Sequence, residues 1–248
     1  MSESVILCEG YLDRAFWAGW LTHLGCTILR ERGQVYDAIG RPVHRGQYMF
    51  RSKSERFVRV VPCKGRPNVR REARARLDQR GLRPRLTRLI LNTDTDVDLA
   101  LPSAATGSRH EDIVALVRQF DAAATIGPEG DIAADEGATI VSLVRWETAD
   151  DVTLGVPTRQ TLERVVCAAL VAAYPVRGPL VDRWLKSRPD APPARAKEFG
   201  WSYMAGWFAD HGCEAFYELL WKDPLVVVQR ESRLRAAGVW RVAEALAN

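Results

Sequence analysis

The sequence predicts an α/β fold: a mostly parallel sheet flanked by helices, with an α-helical C-terminal part. Two observations carry the prediction. Short, continuously apolar runs of strand length alternate with stretches of helical periodicity through residue 146. The alternation of the two patterns is that of an α/β domain. From residue 158 onward strand-like runs cease and helical spacing takes over.

The elements follow in order. Ser4 to Cys8 (SVILC) reads as a buried strand that ends at Glu9-Gly10. Leu12 to Leu24 has apolar residues at 12, 16, 17, 20, 21 and 24, which is helical spacing, and Gly25 suits the stop. Asp13 stands near the start, where a negative charge favours the helix dipole. Thr27 to Leu29 begins another strand, and residues 33 to 54 read as a loop or hairpin. Phe57 to Pro62 is a strand, the run Gly65-Arg66-Pro67-Asn68 breaks it, and Val69 to Arg80 is helical. Arg88 to Asn92 is a strand that runs out into Thr93-Asp94-Thr95-Asp96-Val97-Asp98. Glu111 to Ala123 reads as a helix and Thr139 to Trp146 as a strand. Thr158 to Tyr174, Leu180 to Lys186, Lys197 to His211, Glu214 to Leu220 and Glu231 to Ala247 read as helices. Their tryptophans (Trp184, Trp201, Trp207, Trp221 and Trp240) are expected in the core rather than on a base-stacking surface.

The 248 residues are 47% hydrophobic and 27% charged, an ordinary globular composition. No apolar run reaches the length of a membrane span, and MSESVILCEG lacks a secretion-signal pattern, so a cytoplasmic location is expected. Cys8, Cys26, Cys63, Cys167 and Cys213 form no CxxC pair and are expected as buried, reduced thiols. Charge is segregated. Residues 30 to 88 hold 18 Lys and Arg against 5 acids, a balance of +13 that leaves −9 for the rest of the chain. That suits a face for a polyanion; the alternative is a solvated Arg-rich surface.

The acids carry the chemistry. On an extended backbone Asp94, Asp96 and Asp98 would point to one side. Like charges at that spacing repel, more so when buried, so a hard divalent cation is their natural partner. The competing reading is an Asp-rich turn capping the next helix. Glu9, ending a second apolar strand before a glycine, favours the cation, because sites in such sheets lie at the carboxyl ends of strands.

ILCEGYLDRAFWAGWLTHLG (6–25) resembles the first strand, catalytic glutamate, glycine and helix of Toprim domains. ILNTDTDVD (90–98) resembles the Toprim aspartate strand, and VRVVPCKGRPNV (58–69) the second strand and turn of the Toprim half of OLD-type nucleases. The helical KEFGWSYMAGWFADHGCEAFYELLW (197–221) resembles, more loosely, stand-alone Toprim-like proteins. The resemblance spans roughly 5–146 and implies a Toprim-like, Rossmann-like domain over 1–150 with a basic insertion around 30–56, and a helical region, 151–248, packed on it. It further implies Glu9, Asp94 and Asp96 as catalytic residues, Glu9, Asp94, Asp96 and Asp98 as ligands of Mg²⁺ or Mn²⁺, and nucleic acid, DNA rather than RNA, as partner. The best-placed backbone-binding cations are Lys64, Arg66, Arg70 and Arg71; Lys197 is a further candidate phosphate-binding residue, against a plain surface lysine.

No GxxxxGK followed by Ser or Thr is present, so an ATPase, if one is required, is a separate chain. His23, His44, His110 and His211 fall in different elements and form no HExxH. Three functions are therefore weighed. The first is a Mg²⁺-dependent nuclease, in nucleic-acid processing or phage defence. The second is a non-catalytic nucleic-acid or nucleotide-binding module with a partner protein. The third is primase-like nucleotidyl transfer, which the chain's small size and the missing zinc-binding and helicase parts disfavour.

Overall fold

The computed structural model describes residues 2–31, 34–35, 46–79, 86–101, 107–149, 152–189, 193, 195–208 and 212–247. Much of the expected basic insertion (32–33 and 36–45), together with Arg80, Arg83, Arg85, His44 and His211, lies outside them, as do the side chains of Trp207 and Cys213.

The central strands are β1 (Glu3–Cys8), β6 (Phe57–Pro62), β7 (Leu86–Asp94) and β10 (Thr139–Trp146). All are parallel, in the order β6-β1-β7-β10. Their apolar runs are continuous because both faces are covered. Ile6, Val58, Val60, Ile90 and Val144 enter one core, and Val5, Leu7, Val61, Leu89 and Val141 enter another. The sheet's margins are antiparallel. β2 (Thr27–Ile28) and β5 (Tyr48–Arg51) extend it beyond β6, and β9 (Ile132–Ala134) and β8 (Thr125–Ile126) extend it beyond β10. The sheet is thus mixed, with a parallel centre. A short turn can join only antiparallel neighbours, so hairpins add themselves at the edges. β3 (Arg30–Glu31) and β4 (Gln34–Val35) form a separate small ribbon.

Helix α1 (Tyr11–His23) covers the first face, and α2 (Arg66–Asp78) and α3 (His110–Arg118) cover the second. The first face also takes α4 (Leu162–Ala173), α6 (Ala196–Phe208), α7 (Gly212–Leu220), α8 (Pro224–Ala236) and α9 (Val239–Ala247), with α5 (Arg177–Lys186) beside α6. The C-terminal helices therefore share one core with the sheet. Phe16 is its hub, in edge contact with Trp17, Trp146, Tyr217 and Trp221 at ring-centroid distances of 4.8–5.9 Å. Trp17, Trp20, Trp146 and Trp221 are buried, as is Arg230 between the rings of Trp20 and Trp221, 4.6 Å from each. Trp184 and Trp201 are not core: both are more than half exposed.

Three boundaries differ from the sequence expectation for local reasons. α2 starts at Arg66, because a proline in the first helical turn lacks only a donor that the helix does not use. The C-terminal stretch is two helices, since Asp223 caps α8 through the Leu225 and Val226 amides and Gly238, at φ +74°, ends it. α4 begins only at Leu162, because residues 158–160 are hydrogen-bonded to the loop after β7. Cys8, Cys26, Cys63 and Cys167 are buried free thiols. No helix among the described residues is long and apolar enough to cross a membrane.

α1 and α7 approach closely at Gly19. A Cβ there would lie 2.7 Å from the Tyr217 Cβ and 2.8 Å from the Glu218 backbone nitrogen. Backbone cannot rotate away as a side-chain tip can, so Gly19→Ala is expected to destabilise the protein by about 1–3 kcal/mol through overpacking. Urea unfolding of the two proteins measures it; an unchanged midpoint would mean that α7 shifts freely.

Candidate functional site

β1 and β7 lie side by side, yet the helix that follows β1 covers one face of the sheet and the helix that follows β7 covers the other. Divergent connections of this kind open a crevice at the carboxyl ends of the two strands. Glu9 sits at the tip of β1 and Asp94 is the last residue of β7. Glu9 Oε1 accepts the Asp94 backbone N–H at 3.2 Å, so residues 85 positions apart in the chain meet at adjoining strand ends. The tip is held from behind: Trp17 Nε1 donates to Asn92 Oδ1 at 2.8 Å, and Asn92 Nδ2 donates to the Val144 carbonyl at 3.3 Å.

Arg66 comes to the same point from the first turn of α2. Gly65, at φ +113°, donates its N–H to the Glu9 carbonyl at 2.8 Å and turns the chain into the helix. Arg66 Nε donates to Glu9 Oε1 at 3.1 Å, and Nη2 donates to the Asp94 carbonyl at 3.4 Å and to Asp96 Oδ2. The Glu9, Arg66 and Asp96 side chains are each less than a third exposed. Among the described residues no three Asp, Glu, His or Cys side chains are gathered closely enough to hold a metal ion together. The cation standing between Glu9 and Asp96 is the guanidinium.

Behind this layer lies a second set of acids. Asp13, on the buried face of α1, accepts Trp146 Nε1 at 2.6 Å and the Gly10 N–H at 2.9 Å. Glu163, in the first turn of α4, accepts the Thr161 hydroxyl at 2.7 Å, and Asp94 Oδ1 accepts the Leu162 N–H at 3.2 Å. Burial raises the Asp94 carboxyl well above the usual carboxylate range, and Asp13, Glu9 and Glu163 push it further. Asp13 is raised to about 7, chiefly by burial, with the Trp146 N–H pulling the other way and Glu163 and Glu9 adding to the rise. Burial also raises Glu9, although Arg66 and the Asp94 N–H oppose it. Arg66 loses to burial but gains more from Glu9 and Asp96, so its charge is held more firmly than usual.

The extended Asp94–Asp96–Asp98 arrangement does not form. β7 ends at Asp94, Asp96 takes φ +57°, and Asp96 N–H and Val97 C=O both bond to Gln160. That kink sends Asp98 away, where its carboxylate accepts the Ala100 N–H at 3.0 Å. Among the described residues it makes no hydrogen bond to Glu9, Asp94, Asp96 or Arg66.

An open cleft of about 1630 Å³ runs from Asp94, Asp96 and Asp98 to α5 and α6. Its cations are Arg159, Lys186, Arg188, Arg195 and Lys197; of the residues expected to grip a backbone, Lys197 lines it. Lys64 and Arg71 are exposed around the start of α2, and Arg70 reaches across to Asp112 of α3 at 2.6 Å. α2 covers the sheet face opposite to α5 and α6, which is why its cations do not line this cleft. As members of the site, Asp13 and Glu163 escape the sequence reading, which gives Asp13 only as a charge favouring the helix dipole. Their one signal is an acid at a buried helical position, beside Phe16 and Trp17 in α1 and within the apolar run of α4.

No family model matches the sequence, and no curated protein does. Among solved structures, a hypothetical protein from Pyrococcus horikoshii OT3 is 14% identical to this chain, with a TM-score of 0.66 over 100% of both chains. The chain thus shares with that protein an α/β fold of helices flanking a parallel-centred sheet, with further helices at the C-terminus.

Proposed function

We propose that this chain is a Toprim-type nuclease that cuts a phosphodiester at the junction of β1 and β7. The observation that carries the reading is the bond between Glu9 Oε1 and the Asp94 N–H, which joins the two acidic strand ends into one site. Asp94 supports it further. A carboxyl raised by burial among Asp13, Glu9 and Glu163 is a site whose negative charge lacks compensation, and a divalent cation would supply it.

Glu9, Asp94 and Asp96 are the oxygen donors that would hold Mg²⁺ or Mn²⁺ once Arg66 withdraws from between Glu9 and Asp96, with Asp98 on the cleft wall rather than among the ligands. When bound, such an ion neutralises charge on a phosphate and lowers the pKa of water. The chain's own residues orient and transfer protons. Glu9, raised by burial from its ordinary value, is a candidate for general acid–base work when it is not a ligand, and Arg66 for pairing with a phosphate. Wild-type protein with labelled DNA and RNA is expected to give cleavage with Mg²⁺ or Mn²⁺ and none with EDTA; absence of cleavage under all these conditions rejects the nuclease.

The position of Arg66 favours a second reading, a nucleic-acid-binding module, with or without a partner ATPase, in which the guanidinium permanently replaces the metal. The two readings differ in Arg66→Gln. Removing a charge-assisted competitor worth about 1.5–3 kcal/mol is expected to raise Mn²⁺ affinity roughly tenfold or more in the nuclease. Isothermal titration calorimetry measures it. Wild-type protein that takes no Mn²⁺ at all supports the second reading.

A further inference from the structure

We infer that the cleft between the acidic strand ends and α5–α6 binds a single strand of nucleic acid, with one unpaired base stacked on Trp201. The inference rests on the nucleic-acid reading of the site and adds to it the form of the substrate. Trp201 lines the cleft and is 52% exposed, whereas Trp17, Trp20, Trp146 and Trp221 are at most 2% exposed in the core. An indole left in solvent on a cleft wall offers a π-face of the kind that single-strand binders use. A base inside a duplex cannot reach it, because both its faces are already stacked on neighbours.

The charges fit a strand laid along the cleft. Lys186 is paired with Asp182 and Arg188 with Glu198, each at 2.8 Å. Arg159, Arg195 and Lys197 line the same walls, are exposed, and make no side-chain ion pair among the described residues. Cations that make no side-chain ion pair among the described residues, beside an exposed aromatic, suit a sequence-tolerant single-strand groove. The strand-end acids Asp94, Asp96 and Asp98 occupy the other end of the cleft, where the cut would fall, while Asp182 and Glu198 lie among the cations in pairs with Lys186 and Arg188. Size agrees as well: about 1630 Å³ exceeds the roughly 300–1,000 Å³ of ordinary small-molecule pockets and suits a run of nucleotides.

The test is binding of a fluorescein-labelled oligothymidylate, an oligouridylate and a blunt duplex, by anisotropy in EDTA, so that no strand is cut. A single strand is expected to bind about tenfold tighter than the duplex, with the two oligonucleotides showing which sugar is preferred. Trp201→Ala is expected to weaken single-strand binding about tenfold, and Trp201→Phe to retain most of it. Lys197→Ala and Arg195→Ala should each reduce the salt dependence of binding. Because Trp201 is exposed, Trp201→Ala should melt at the wild-type temperature, which separates lost stacking from lost fold. Equal or tighter duplex binding, or a Trp201→Ala protein that binds like wild type, overturns the inference. The proposed nuclease fails separately: Trp201-dependent single-strand binding without metal-dependent cleavage rejects the nuclease and leaves the cleft assignment standing. Cleavage of duplex that ignores Trp201 does the reverse.

Discussion

If the chain is the proposed nuclease, Asp94→Asn is expected to cut metal-dependent cleavage by at least about a hundredfold, while leaving the metal-free protein as stable as wild type or more so. The first half follows from the place of Asp94 at the strand junction, where loss of one acid would remove a proposed cation ligand and a share of the site's field. The second half follows from its surroundings. Asn keeps a side-chain oxygen for the Leu162 N–H and removes a charge that burial and four neighbouring acids oppose. The pH dependence has a definite sign. Asp94 and Asp13 have folded-state pKa values above their unfolded ones, so their contribution to stability is fully present below the ordinary carboxylate range. It is lost as pH rises, for Asp13 from about 4 through about 7. Thermal melts of the metal-free protein should therefore show lower stability at pH 8 than at pH 5. Mg²⁺ should restore it at pH 8 in wild type, by about 2.7 kcal/mol at a hundredfold excess over Kd, and not in Asp94→Asn. A variant that still cuts, or one that gains the same protection from Mg²⁺, places the chemistry elsewhere.

Phe16→Ala is expected to cost about 3–5 kcal/mol and to lower the melting temperature by roughly 10 °C, in a single transition. Phe16 belongs to α1, but three of the four rings around it come from β10, from α7 and from Trp221 just beyond α7. Truncation therefore opens a cavity where the sheet layer and the C-terminal helices meet. If residues 151–248 were a lobe docked on a finished domain, calorimetry would resolve two transitions, and proteolysis would release a folded helical fragment. One transition that moves as a whole shows that the two parts fold as one unit, as their common core requires.

The parts that were legible and the parts that were not divide along a physical line. β1, β6, β7 and β10 could be read from the sequence because strands covered on both faces are written as apolar runs. α1 could be read because its buried face repeats at helical spacing. Glu9 and Asp94 could be placed at strand ends for the same reason, since each interrupts such a run. β2 was readable at Thr27 to Leu29, but β8 and β9 were invisible as strands of the sheet's margin. Strands of two or three residues owe their existence to a partner's hydrogen bonds rather than to their own pattern.

The sequence by itself determined the layered α/β plan, the helical C-terminal half, and which two strand ends carry acids. Only the tertiary structure decided the composition of the site. It set Arg66 between Glu9 and Asp96 by way of a left-handed Gly65, brought Asp13 and Glu163 in behind Asp94, and turned Asp98 out at the Asp96 kink. Local patterns report which face of an element is buried, whereas the neighbours of a charged side chain come from elements dozens of residues away.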